Sequence, residues 1–225
     1  MQHESTGRFR VLDRSHNPEV LVLVSVPESP ADRMNKEFNP VTVEIPNSAA
    51  SVVSAGNLIE ATLSWPNEHA QLEDFKRLSE TTFEYIDDIS PVFEAASTLW
   101  QAAVREQDGL RGRVTRGTDS QPNGVLYVFA EQSGVRNLFD EFQSGTTPLE
   151  PLLQRVDDQR ETSDETSPAP ETEQDRAVFI LRPVDDTFVI VYITFEKYGV
   201  LANTIRSTYG DDESINASGP LRFHR

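Results

Sequence analysis

"AVFILRPVDDTFVIVYITF", residues 177–195, sets two apolar runs rich in Val, Ile and Phe on either side of a Val-Asp-Asp turn. The stretch reads as a β-hairpin, since β-branched and aromatic side chains suit a pleated surface and Asp suits a turn. Upstream, "LRGRVTRG" (110–117) and "GVLYVFA" (124–130) read as two more strands. A short helix is expected at "SGVRNLFDEFQSG", with Val135, Leu138, Phe139 and Phe142 inward. A last helix places Tyr198, Leu201, Ala202, Ile205 and Tyr209 on one side and stops at Gly210. Strand–strand–helix thus occurs twice, which predicts a four-stranded sheet with helices packed on one face. "VLYVFAEQSGV" and "IVYITFEKYGV", 65 residues apart, echo each other at Tyr127 and Tyr192, Glu131 and Glu196, Gly134 and Gly199. The apolar phases part beyond Val135, so chance accounts for the echo as well as duplication does.

Two further helices are predicted, one before these strands and one between them. "SPVFEAASTLWQAAVREQDG" (90–109) carries an apolar stripe of Val92, Phe93, Ala96, Leu99, Trp100, Ala103 and Val104, which packs a core. Ser90 is placed to cap it, Pro91 suits the first helical position, and Gly109 suits the stop. In "TPLEPLLQRVDDQ" (147–159), Thr147 and Glu150 have the spacing of a capping box.

Residues 1–88 read mainly as short strands between turns: "GRFRVLD", "EVLVLVSV", "VTVEIP", "GNLIEATLSW" and "AQLEDFKRLSETTFEYI". Pro27, Pro30 and Pro40 make "PESPADRMNKEFNP" a loop. Five or six such strands predict an antiparallel barrel-like region, and the strand count leaves OB-like and SH3-like barrels both open. The whole chain is therefore read as α+β. A β-rich part spans 1–88, and an α+β part spans 89–225. Residues 161–175 hold six carboxylates, no cation and one apolar side chain, Ala169, so they cannot offset their ordering entropy and are expected to form a disordered acidic linker. The tail 211–225 is expected to be loose.

Charge sets the solvent. The formal net charge is −17, and 17 Arg stand against only three Lys. Removing the six charges of 161–175 still leaves the chain strongly acidic. Many carboxylates, almost no Lys and no Cys point to a cytoplasm of concentrated salt. At about 1 M salt the Debye length is about 3 Å, which nearly abolishes carboxylate repulsion; in dilute buffer the same surface destabilises the compact state. The absence of Cys excludes disulfides, thiolate zinc sites and Cys nucleophiles. The N-terminus lacks a basic-then-apolar signal pattern and no apolar run is long enough for a bilayer, so a cytoplasmic location without membrane attachment is expected.

Chemistry-bearing motifs are few. His3, His16, His69 and His224 have no metal-ligand spacing, and no phosphate-binding glycine loop or nucleophile elbow occurs. The Asp pairs 87–88, 157–158, 185–186 and 211–212 each diverge along the backbone, and turn chemistry with salt adaptation explains them. The outlier is basic. Arg105, Arg111, Arg113 and Arg116 crowd into twelve residues beside Gly109, Gly112 and Gly117, and Arg8, Arg10 and Arg14 form a second group. Guanidinium groups grip phosphate in bidentate fashion, so both groups on one face, with Phe9 and Trp65 to stack bases, would hold a nucleotide or nucleic acid. Pairing with neighbouring carboxylates such as Glu106 and Asp108 is the plainer reading of the same arginines.

"GRFRVLD", "GNLIEATLSW" and "FEYID" together resemble an uncharacterised protein family of halophilic archaea. The resemblance implies a KCl-rich cytoplasm and supplies no activity, cofactor or site. The leading expectation is a non-catalytic intracellular binding or regulatory protein, with no cofactor, acting on a protein partner or small ligand. A nucleic-acid- or nucleotide-binding protein using the arginines is the alternative. A Mg²⁺-dependent hydrolase or nuclease ranks third.

Overall fold

The computed structural model describes residues 3–14, 19–27, 38–46, 52–67, 69–131, 137–163, 175–184 and 187–210. The described chain is mixed α and β, mostly strands in two sheets, with four helices. The first sheet contains β1 (His3–Arg14), β2 (Val20–Val26), β3 (Pro40–Glu44), β4 (Leu58–Trp65) and β5 (Ala70–Ser79). These close into a ring in the order β1-β2-β3-β5-β4, with β4 returning to β1. All ring contacts are antiparallel except β3 with β5, where Val43 pairs Ala70 and Glu44 pairs Gln71 in parallel. Alternation does the rest: Phe9, Val11, Leu21, Leu23, Ile59 and Leu63 fill the ring interior.

The second sheet has five strands in the order β6-β9-β10-β8-β7. They are β6 (Thr82–Ile89), β7 (Leu110–Arg116), β8 (Pro122–Ala130), β9 (Ala177–Pro183) and β10 (Phe188–Thr194). The 177–195 hairpin forms as read, with Ile190 opposite Leu181 and Ile193 opposite Val178. The fifth strand is β6, which the sequence groups with the N-terminal strands. It pairs in parallel with β9, Phe83 opposite Val178 and Tyr85 opposite Ile180. No local pattern announces a parallel partner so far along the chain.

Helices cover both faces of this sheet, not one. α1 (Glu94–Glu106) and α4 (Val200–Tyr209) pack with Phe188, Ile190 and Tyr192 on one face. α2 (Leu138–Ser144) and α3 (Glu150–Ser163) pack with Val189, Val191 and Ile193 on the other. The reason lies in β10 itself, whose seven residues are all buried and apolar or hydroxyl-bearing; a strand apolar on both faces needs cover on both. The echo residues Tyr127 and Tyr192 therefore point to opposite faces.

The ring docks on the α2–α3 face. Leu12 of β1 and Val24 of β2 join the same apolar cluster as Leu153, Val156 and Ile180. At this junction the Arg10 Nε donates to Glu150 Oε2 at 3.0 Å, Nη2 donates to Glu150 Oε1 at 3.1 Å, and Nη1 donates to Gly56 O at 3.0 Å. Glu150 thus serves no capping box: its carboxylate turns to Arg10, and the Thr147 hydroxyl donates to Glu141 at 2.7 Å instead. Two turns along α3, Asp157 accepts from the buried Arg176 beside β9 at 2.5 Å.

Local signals at α1 shift by one turn. Phe93 is the N-cap residue, Ser90 offers no cap, and the Ser90–Pro91 peptide is cis. Gln107, in the left-handed conformation, ends the helix ahead of Gly109. The acidic-linker expectation for 161–175 falls mostly outside the described residues. At its two ends, the α3 backbone runs on to Ser163, and Asp175 accepts from the Glu80 amide at 2.7 Å. The tail expectation for 211–225 lies outside the described residues. Among the described residues no helix is long and apolar enough to cross a membrane.

Candidate functional site

α1 buries Ala96, Leu99 and Ala103 against the sheet. The residues one step round the helix form the wall of a cleft. Ser97, Trp100, Gln101, Val104 and Arg105 line it together with Phe188 at the start of β10, and its volume is about 590 Å³. Trp100 stacks on the buried Phe188, ring centroids 4.8 Å apart and planes 19° from parallel, so the aromatic surface of the cleft is the half-buried Trp100 ring backed by Phe188. Val104 is 56% exposed at the end of the stripe. Arg105 is exposed; its Nε donates to Gln101 O at 3.2 Å within the last turn of the helix, and its guanidinium stands at the rim.

The structure separates the arginines singled out in the sequence; the side chain of Arg14 lies outside the described residues. Arg111 lies on β7, where Nη1 meets Glu106 at 2.6 Å and Asp108 at 3.0 Å. The hydrogen bond from Arg111, reinforced by its charge, holds the Glu106 carboxyl below its ordinary range, and Glu106 raises Arg111 in return. Arg113 is exposed further along β7. Arg116 is exposed at the end of β7, where Nη1 donates at 2.8 Å to Ser120 O in the turn that follows. Arg10 is 1% exposed and committed to Glu150 at the ring junction. Arg8, its neighbour on the outer side of β1, is half-buried, and its Nε meets no hydrogen-bond partner among the described residues. β1 packs with the α2–α3 face and α1 covers the opposite one, so the two arginine groups share no concave surface. Phe9 fills the ring interior and Trp65 packs against it, so neither forms a stacking platform beside the arginines.

The acidic pairs behave individually. Asp87 binds Arg182, whose Nε approaches its carboxylate at 2.6 Å and whose Nη2 makes a second bond; this donation holds the Asp87 carboxyl below its usual range. Arg182 also lies 4.9 Å from the Phe139 ring centre, a cation–π contact. Asp88 adopts a left-handed backbone, φ 55°, at the irregularity that ends β6. Asp185–Asp186 and Asp211–Asp212 lie outside the described residues. Among the described residues no three His, Asp or Glu side chains converge as metal ligands would. Sequence reading missed the cleft because Trp100 and Val104 share helical spacing with true core residues. No local signal sets them apart, since Trp100 lies nearer the middle of the stripe than the buried Leu99 does.

Fold and cleft together define an α+β protein in which a strand ring is docked on a helix-covered sheet, with an aromatic, arginine-rimmed cleft on the far side. The chain belongs to DUF6663, a family of unknown function, whose family model matches residues 1–215. No curated protein and no solved structure matches it.

Proposed function

We propose that this chain is a non-catalytic binding or regulatory protein of a KCl-rich cytoplasm, and that its ligand enters the α1 cleft. The observation that carries the reading is the half-buried Trp100 ring, held flat by its stack on buried Phe188, with the exposed Arg105 beside it. A flat apolar group lies along Trp100 and Val104, and an anionic substituent reaches Arg105. In molar salt the charge acts only at direct contact, so apolar contact supplies most of the affinity.

The strand order of the ring and its parallel β3–β5 closure support an OB-type reading of the N-terminal region. Such barrels bind nucleic acid across strands 2 and 3. Here Val22 and Val24 of β2 pack into the cluster shared with the second sheet, and the outer strands expose Glu44, Glu60 and Glu73. The ring then acts as a support, and the nucleic-acid reading loses its groove.

The test uses a Trp65→Phe protein, in which Trp100 is the remaining indole. Titration in molar KCl with flat anionic probes, anilinonaphthalene sulfonate and nucleoside monophosphates, is expected to give a saturable change in Trp100 emission that Arg105→Glu weakens about tenfold. No saturable change, or one indifferent to Arg105→Glu, rejects the cleft. Tight binding of a single-stranded RNA that Trp100→Ala leaves intact restores the nucleic-acid reading.

A further inference from the structure

The two ends of the second sheet are treated differently. The β6 end is closed by the ring: Phe83 N donates to Ala55 O at 3.0 Å, and Gly56 lies so near that a Cβ there would come within 2.5 Å of Phe83 N. At the β7 end no strand among the described residues pairs with the outer side.

The ladder shows which groups face outward. Ala130 N donates to Gly109 O at 2.9 Å, while Glu131 N donates to Thr187 O at 2.8 Å and Phe195 N to Asn123 O at 3.0 Å. Alternation then directs the backbone of 111, 113 and 115 toward β8, and turns the N–H and C=O groups of Leu110, Gly112 and Val114 outward. Side chains alternate on the same strand. Leu110 and Val114, 42% and 46% exposed, stand on the face of Tyr127 and Val125. Arg111 and Arg113 stand on the other, opposite Val128 and Leu126. Gly112 is needed between them because the Tyr127 ring lies where its Cβ would be, 2.5 Å away.

Charge selects the partner. In a chain of net charge −17, the β7–β8 hairpin carries Arg111, Arg113 and Arg116 against the single carboxylate Asp119. Arg111 is shared with Glu106 and Asp108, whereas Arg113 makes no ion pair among the described residues. A second copy pairing about a two-fold axis would lay these arginines against one another, which disfavours self-association.

We propose that β7 accepts an extended acidic segment of a partner protein as an added strand. Its backbone bonds Leu110, Gly112 and Val114, its carboxylates meet Arg111 and Arg113 on one face, and its apolar side chains meet Leu110 and Val114 on the other. The partner motif is therefore alternating acidic and apolar residues.

The test is fluorescence anisotropy in molar KCl with a labelled peptide of alternating Glu and Val, and a Lys–Val peptide beside it. Val114→Pro removes an outward N–H without touching the β8 ladder. Arg113→Glu reverses the charge and leaves the backbone intact, and circular dichroism checks the fold of both. Saturable binding of the Glu–Val peptide is expected, about tenfold weaker in each variant, absent for Lys–Val and unchanged by Trp100→Ala. The proposal is overturned by no binding of the Glu–Val peptide, which leaves the arginines as guards of a bare edge. Equal binding of Lys–Val overturns it too, as does binding indifferent to both variants, or light scattering that shows a dimer dispersed by Val114→Pro.

Discussion

Replacing Glu150 by Leu removes the carboxylate that holds the ring against the second sheet. The Arg10 and Glu150 side chains are 2% and 4% exposed, so neither reaches water. Arg10 keeps its bond to Gly56 O after the change and loses both bonds to the carboxylate. Breaking a buried ion pair by removing one partner costs about 3–5 kcal/mol. For a chain of this size that corresponds to a fall in Tm of roughly 6–20 °C. Adding Arg10→Met to the variant is expected to recover most of the loss, because the second desolvated charge goes too. Urea unfolding followed by circular dichroism measures both, since urea leaves the KCl concentration free to vary. The wild-type midpoint is expected to drop as KCl is lowered and the carboxylates repel again. The deficit of Glu150→Leu relative to wild type should stay constant, because mobile ions do not reach the pair. A deficit under about 1 kcal/mol, or one that disappears in concentrated KCl, would refute the reasoning and leave the apolar cluster alone to dock the ring.

Two further outcomes follow from the same junction and from the sheet margin. Gly56 has φ +91°, and a Cβ on it would lie 2.5–2.7 Å from the Thr82 and Phe83 backbone. Gly56→Ala is thus expected to lose about 2–4 kcal/mol in urea unfolding, and an unchanged midpoint would remove the close approach from the account. Asp87 is held below its ordinary pKa first by hydrogen bonding from Arg182, so its contribution is present above the ordinary Asp value, about 3.9, and is lost as pH falls through the lower folded-state value. Asp87→Asn should make the acid limb of Tm against pH shallower, by a small amount because the pair is substantially exposed; a limb of unchanged slope counts against the pairing.

The hairpin at 177–195 was legible because its runs are long, β-branched and bounded by turn residues. The stripe of α1 was legible because helical spacing repeats within a few residues. Glu150 shows where local reading fails. Its spacing from Thr147 matches a capping motif, yet the carboxylate has a better partner 140 residues away in the chain. Arg8 and Arg10 show the same limit: as neighbours of many carboxylates they are equally readable as ion pairs or as phosphate grips. Val104 and Trp100 share the spacing of core residues, and only the position of β10 makes them the wall of a cleft.

Composition and short-range periodicity belong to the chain itself, so the sequence alone determined the acidic, lysine-poor composition, the mixed α and β character and most element positions. Which sheet β6 joins, how both faces of β10 are covered, which arginines are buried and which strand edge lacks a partner among the described residues were decided only in the tertiary structure. Each depends on groups brought together from distant positions, where burial and direct pairing outweigh local preference.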